Sequence, residues 1–288
     1  MATPLSADAF LNALRNEGIS VNEIGGWRNH NRNSKGAWGP VHGIVIHHTA
    51  TSGTDASVQI CHDGYAGLPG PLCHGVIARD GGVHLVGYGR TNHAGAGDGD
   101  VLAAVIAERN LPSPDQANTD GNSRFYGFEC VNTGTGAEDW PDAQVEAMVR
   151  AAAAVCRAHG WTERSVIGHK EWQPAKPDPR GIDMGEFRAR VASRLGSRPA
   201  PQPQPQPSGP PAYPGRDAFG PGRSNSSILA LGQQLVRRGF GGAYKVGPSQ
   251  SWGEADRQNV ASFQRAQGWG GSDADGLPGP ETWRRLWS

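Results

Sequence analysis

The run from Pro199 to Pro207 alternates proline with alanine or glutamine, and no folded core can be threaded through it. Each proline fixes φ and removes a backbone donor, so neither a helix interior nor a central strand is open to this stretch. Alternating Pro and Gln favours extended polyproline II, a semi-rigid spacer. The chain of 288 residues must therefore fold as separate parts, because periodic apolar sequence resumes on both sides. We read residues 1–195 as one domain, 196–214 as a Pro/Gln-rich linker and 215–288 as a second domain. The cut also separates charge: the first part carries 17 basic and 21 acidic side chains, the remainder 10 and 6.

Several function classes drop out early. The formal net charge is zero, so broad electrostatic capture of nucleic acid is not expected. No apolar stretch approaches the roughly 18 residues of a membrane span, so no membrane insertion is expected. The start, Met1 to Asp8, has neither a basic opening nor an apolar h-region, so no secretory leader is read. The four cysteines contain no Cys-x-x-Cys, which argues against a cysteine-only zinc knuckle. With 42 Gly and 22 Pro the chain is loop-rich, but 36% hydrophobic residues can still bury a core.

The first part reads as an α/β domain, a mixed sheet flanked by helices. Residues 7–16 put Phe10, Leu11 and Leu14 on one helical face. Residues 42–49 form a short buried strand rich in β-branched residues. Residues 74–85 read as a hairpin turning at Arg79-Asp80-Gly81-Gly82. Residues 100–108 and 142–159 read as helices, the second stopped by Gly160. Residues 126–132 and 165–169 read as two further strands. Strands interspersed with helices favour an α/β or α+β sheet protein.

The chemistry-bearing residues sit at strand ends. His47 and His48 are adjacent on a strand, so only one can face a given site. His169 ends another strand, and Asp178 follows nine residues later in a proline-stiffened loop with Lys176. Two imidazoles and one carboxylate leave the fourth position of a zinc ion open, the layout of a catalytic site. Such donors suit Zn²⁺, although other divalent ions use them too. The same residues also fit a strand-end histidine satisfied by backbone, beside a solvated aspartate.

Five motifs in fixed order carry a resemblance. They are His47-His48-Thr49-Ala50-Thr51, the stretch from Cys73 to Gly81, His93-Ala94-Gly95, Tyr126-Gly127-Phe128-Glu129, and Gly168-His169 with Lys176-Pro177-Asp178. Across residues 27–194 the chain resembles the zinc N-acetylmuramoyl-L-alanine amidases of type 2, the family that includes animal peptidoglycan recognition proteins. Its wording looks most like endolysins of phages that infect actinobacteria. The resemblance implies a zinc held by His47, His169 and Asp178, with His48 turned away. It implies that Glu129 activates the attacking water, that Lys176 is the catalytic lysine, and that His93 contacts substrate. Cys73 is a departure, because some relatives carry a tyrosine there. Cys61 and Cys73, twelve positions apart, are spaced so that a disulfide between them is open.

The tail reads as three short helices, over residues 228–238, from a capping-box pattern at Ser251 to Glu254 onward, and over 282–287 after Pro280. Ile228 to Arg238, Phe263 to Trp269 and the stretch from Asp275 to Trp283 resemble the small helical peptidoglycan-binding domain of wall hydrolases. We favour a core position for Trp269 and Trp283. Together the resemblances imply a monomeric phage endolysin with peptidoglycan as its partner, held in the host cytoplasm until a phage pore releases it to the wall. A bacterial autolysin of the same activity, a cytoplasmic recycling amidase and a non-catalytic recognition protein are the alternatives. The complete ligand trio speaks against the recognition protein, and a wall-binding tail against the recycling enzyme.

Overall fold

The computed structural model describes residues 2–197, 212–244, 248 and 250–288. The Pro/Gln run lies outside the described residues. The chain divides into two compact units, Met1–Gln202 and Pro203–Ser288. No helix among the described residues is long and apolar enough to cross a membrane.

The first unit is built on six strands: β1 (Val21–Glu23), β2 (Gly43–His48), β3 (Gly75–Ile77), β4 (Val83–Leu85), β5 (Phe125–Cys130) and β6 (Val166–Gly168). They lie in the order β1-β4-β3-β5-β2-β6. Only the β3–β4 hairpin is antiparallel; the other neighbours run parallel. The hairpin turns where the sequence indicates, with the Ala78 amide bonded to the Gly82 carbonyl.

Six helices cover the two faces: α1 (Ala7–Asn16), α2 (Thr54–Asp63), α3 (Gly99–Ile106), α4 (Asp142–His159), α5 (His169–Trp172) and α6 (Met184–Gly196). Side chains alternate across a strand, and both faces of this sheet are apolar. Ile44, Ile46, Tyr126 and Phe128 face the cluster built by Phe10, Leu14, Met148, Val155, Phe187 and Val191 of α1, α4 and α6. Val45, Phe125 and Ile167 face the opposite way, onto Val101, Val105 and Trp172.

The three helices of the first face are also tied by charge. Glu17, just past α1, is 2% exposed in its side chain and pairs with both Arg157 of α4 and Arg194 of α6 at 2.8 Å. A carboxylate can be buried there only because two guanidinium groups meet it. All four cysteines are buried free thiols. Cys61 and Cys73 thus do not form the disulfide that their spacing leaves open. Burial pushes the Cys73 thiol up, and its Cys61 neighbour adds to the effect.

The second unit holds α7 (Ser226–Arg237), α8 (Glu254–Ala266) and α9 (Pro280–Trp287). Ile228, Leu231, Leu235, Val260, Phe263, Trp283 and Leu286 form its core with Phe219. Asn225 caps α7 by accepting from the Ser227 and Ile228 amides. Pro280 occupies the first turn of α9. The start of α8 differs from the sequence reading. Its cap is Gly253, whose N–H is taken by the Asp256 carboxylate at 2.7 Å. Ser251 is drawn away into a bridge with Ser224. Trp283 lies in the core, whereas Trp269 is half-buried under the Arg285 guanidinium, 5.0 Å from its ring centre.

Phe10 is fully buried and stacks on Tyr126 and Phe128. Phe10→Ala should cost about 3–5 kcal/mol through lost transfer energy and the cavity left behind. Urea unfolding followed by near-ultraviolet dichroism of the first unit's aromatic residues checks this, and a loss under about 1 kcal/mol would show that the face collapses around the gap.

Candidate metal centre

The two-residue period of β2 decides which histidine enters the site. Ile44, Ile46 and His48 point to the α4 face; Val45 and His47 point to the face covered by α3 and α5. His47 is opposite Glu129 in the β2–β5 register, so both side chains emerge on the same face. Both lie near the C-terminal ends of parallel strands, where open α/β sheets place their ligands. His169 follows directly from β6 as the first residue of α5.

Three acceptor atoms converge. His47 Nδ1, His169 Nδ1 and Asp178 Oδ2 form a triangle with all three sides 3.0 Å. Donors about 2.0–2.1 Å from a tetrahedral zinc lie roughly 3.3 Å apart, so the triangle nearly matches one face of that polyhedron. Three lone pairs cannot satisfy one another, but one cation satisfies all three. His47, His169 and Asp178 are all buried. Burial pushes the His47 imidazole down to about 4, leaving it neutral and able to act as a donor. Burial alone would raise the Asp178 carboxyl, but the His169 and His47 imidazoles beside it outweigh burial and hold the group below the usual carboxylate range. Two imidazoles, one carboxylate and an open fourth position fit a zinc ion.

The Asp178 loop is anchored on both sides. The Lys170 amide donates to the Asp178 carbonyl at 2.7 Å, and Lys170 Nζ donates to the Pro179 and Ile182 carbonyls. His48 is turned away from the triangle, and its Nδ1 accepts from the Arg180 amide at 3.1 Å. Ala175, inside the same loop, holds a left-handed φ of 66° that a non-glycine residue adopts at a cost.

Glu129 is half-buried, but its Oε2 is shut off from solvent and has no hydrogen-bond partner among the described residues. Burial pushes its carboxyl well above the usual range, Cys61 and Asp178 raise it further, and Lys176 draws it down. Lys176 itself is exposed on the loop. Its charge also acts on His47.

His93 lies behind the triangle. It is 6% exposed, and both ring nitrogens are engaged: Nδ1 meets His47 Nε2 at 3.0 Å and Nε2 meets the Phe125 carbonyl at 3.0 Å. Burial pushes the ring well below its ordinary value. The sequence reading gave this side chain to substrate; its ring nitrogens are spent on the protein instead.

Four further residues escaped sequence reasoning. Asn122 Oδ1 accepts from the amides of His93, Ala94 and Gly95 at 3.0, 2.8 and 3.1 Å, clamping that loop. Trp172 Nε1 donates to the Ala94 carbonyl at 2.9 Å. Gln173 Oε1 meets His169 Nε2 at 3.3 Å. Gly127 leaves room for the His93 ring, since a Cβ there would sit 2.4 Å from Nδ1. Asn122 and Gln173 carry no local signal, because each is one polar residue in a polar stretch.

His74, also buried, gives a pH prediction. Its Nδ1 accepts from the Gly127 amide and its Nε2 donates to the Gly89 carbonyl. Burial pushes it from 6.5 down to about 4. The unfolded chain then takes up a proton near pH 6.5 while the folded chain resists until about pH 4. The stability held above pH 6.5 is thus lost as pH falls through that window, up to ~3 kcal/mol at about 1.36 kcal/mol per unit. His74→Gln should be less stable than the parent at pH 7.5 by urea unfolding, and the gap should narrow by pH 4.5. A gap unchanged with pH would mean that His74 titrates alike in both states.

Residues 37–181, half of the 288, match the family model described as N-acetylmuramoyl-L-alanine amidase. No curated protein sequence matches the chain. Similar solved structures include the N-acetylmuramoyl-L-alanine amidase LysC from Clostridium intestinale URNW, 15% identical over 60% of this chain and 97% of that one, with a TM-score of 0.39. The amidase AmiD from E. coli is 15% identical over 88% and 90%, with a TM-score of 0.40. The endolysin of bacteriophage Ph2119 from Thermus scotoductus MAT2119 is 17% identical over 60% and 99%, also at 0.40. With its family-model match spanning half the sequence, and including both candidate histidine ligands and Asp178, the chain belongs to the N-acetylmuramoyl-L-alanine amidase family.

Proposed function

We propose that this protein is a zinc-dependent hydrolase that cuts the amide between N-acetylmuramic acid and L-alanine in peptidoglycan, and that it serves a phage as a wall-lytic endolysin. The observation that carries the reading is the 3.0 Å triangle of His47, His169 and Asp178, with Glu129 opposite His47 in register and its Oε2 without a partner. A structural metal site would close all four positions with protein donors; this one offers three.

The chain's own groups have distinct tasks. His47 and His169 present nitrogen donors, and Asp178 supplies the carboxylate oxygen. Zinc held there would supply a nucleophile at neutral pH and polarise the scissile carbonyl. Glu129 takes a proton from the attacking water and hands it to the departing L-alanine nitrogen as the carbon–nitrogen bond breaks. Its elevated proton affinity, set by burial, suits the delivery step, and Lys176 restrains it from staying protonated. Lys176 would stabilise the carbonyl oxygen as that atom gains negative charge.

The second unit would act as the wall anchor. Tethering a binding module to a hydrolase raises its effective concentration at an insoluble substrate. The motif order of the first unit and the helical tail both support the endolysin reading.

Mass spectrometry of actinobacterial peptidoglycan digested by zinc-loaded protein tests the chemistry. Stem peptides beginning with L-alanine and unpeptidylated glycan are expected; new reducing sugars would overturn it, and binding without cleavage would favour a recognition protein. Asp178→Ala should lose both metal and activity. Glu129→Gln should keep metal but lose roughly 10²–10⁴-fold in turnover. Equal metal loss in Glu129→Gln would make that residue a ligand or a structural group. Removing residues 208–288 should weaken adsorption to walls far more than hydrolysis of a soluble muropeptide; equal losses would place the tail in the catalytic fold.

A further inference from the structure

The contact behind His47 determines which of its nitrogens can meet a cation. The Phe125 carbonyl can only accept, so His93 Nε2 carries the proton in that 3.0 Å contact. A neutral imidazole has one N–H, so His93 Nδ1 is an acceptor. It faces His47 Nε2 at 3.0 Å, and that nitrogen must therefore donate. His47 Nδ1 is left with its lone pair, directed at His169 Nδ1 and Asp178 Oδ2. The opposite tautomer would set two lone pairs against each other at the His47–His93 contact and place a proton in the middle of the triangle.

We propose that His93 is a positioning residue that fixes the tautomer and ring orientation of His47, relaying the demand of the Phe125 carbonyl to the metal-binding nitrogen. This rests on the metal reading given above. Two features hold His93 to the task. Asn122 fixes its backbone by accepting three successive amides, and the missing Cβ of Gly127 leaves the space that its ring fills. Residues behind a ligating histidine that accept its second N–H typically govern metal affinity by about 10–100-fold.

The test measures Zn²⁺ affinity of the full chain by competition with a chromogenic chelator, beside ¹⁵N imidazole spectra of the metal-free protein. His93→Phe keeps a ring and removes the acceptor; His93→Asn restores an acceptor close to the Nδ1 position. Gly127→Ala pushes the ring aside while leaving His93 in the sequence. We expect His93→Phe and Gly127→Ala to weaken Zn²⁺ binding by about 10–100-fold, and His93→Asn to stay within a few-fold of the parent. The parent and His93→Asn spectra should show His47 protonated at Nε2, and His93→Phe a mixture of tautomers. Parent-like affinity in His93→Phe and Gly127→Ala, or a loss in His93→Asn as deep as in His93→Phe, would overturn the proposal. If His93→Phe does not fold, the contrast between His93→Asn and Gly127→Ala decides on the same criteria. A parent chain that fails to bind Zn²⁺ at all would instead sink the metal reading on which the proposal stands.

Discussion

The site depends on the pairing of β2 with β5. Because side chains alternate across a strand, the register that sets His47 beside Glu129 sends both to one face and gives Ile46 and Phe128 to the core on the other. A slip of one residue would turn the histidine toward the α4 contacts and set an isoleucine in its place at the site. The apolar pattern that stabilises the sheet is thus also what selects His47 over His48. Everything else at the centre is arranged around that choice: α5 starts where β6 ends, and its first residue supplies the second imidazole.

Around this pair the protein keeps polar groups in low-dielectric surroundings by giving nearly every one a defined partner. His93, His74, Asn122 and Gln173 are all engaged by backbone or by another side chain. Among the described residues of the first unit, Glu129 Oε2 lacks a partner, as do Trp38 Nε1, Thr91 Oγ1 and Gln144 Oε1. An unpaired buried oxygen carries a desolvation penalty of order 1–3 kcal/mol, and active sites are where such penalties are tolerated. Of these atoms only Glu129 Oε2 belongs to a carboxylate, which supports the proton-transfer role proposed for it.

Much of this was legible in the sequence, unevenly. The β-branched run before His47, the Arg79–Gly82 turn and the apolar stripe of α4 gave their elements to within about two residues of the observed ends. Other elements went unread. α2 mixes its few apolar residues with Gln, His and Asp, and β1 is only three residues long. α6 carries a signal of its own, in Phe187, Val191 and Leu195 at four-residue spacing among arginines. The ligand candidates could be named because histidine and aspartate at strand ends are chemically conspicuous. Asn122 and Gly127 could not, since one acts through its backbone neighbours' amides and the other through an atom that it lacks.

The anchoring of the Asp178 loop has a further consequence. Lys170 grips it through three carbonyls and His48 through the Arg180 amide, and all of those bonds are made by the chain itself. In small zinc domains the ligands are scattered until the ion gathers them, and chelation denatures the chain. Here the Asp178 loop is held by the chain's own bonds, so an ion bound at the triangle would meet a loop that the fold already fixes. Loss of such an ion would then be separable from unfolding, unlike in a domain whose ligands the ion alone gathers.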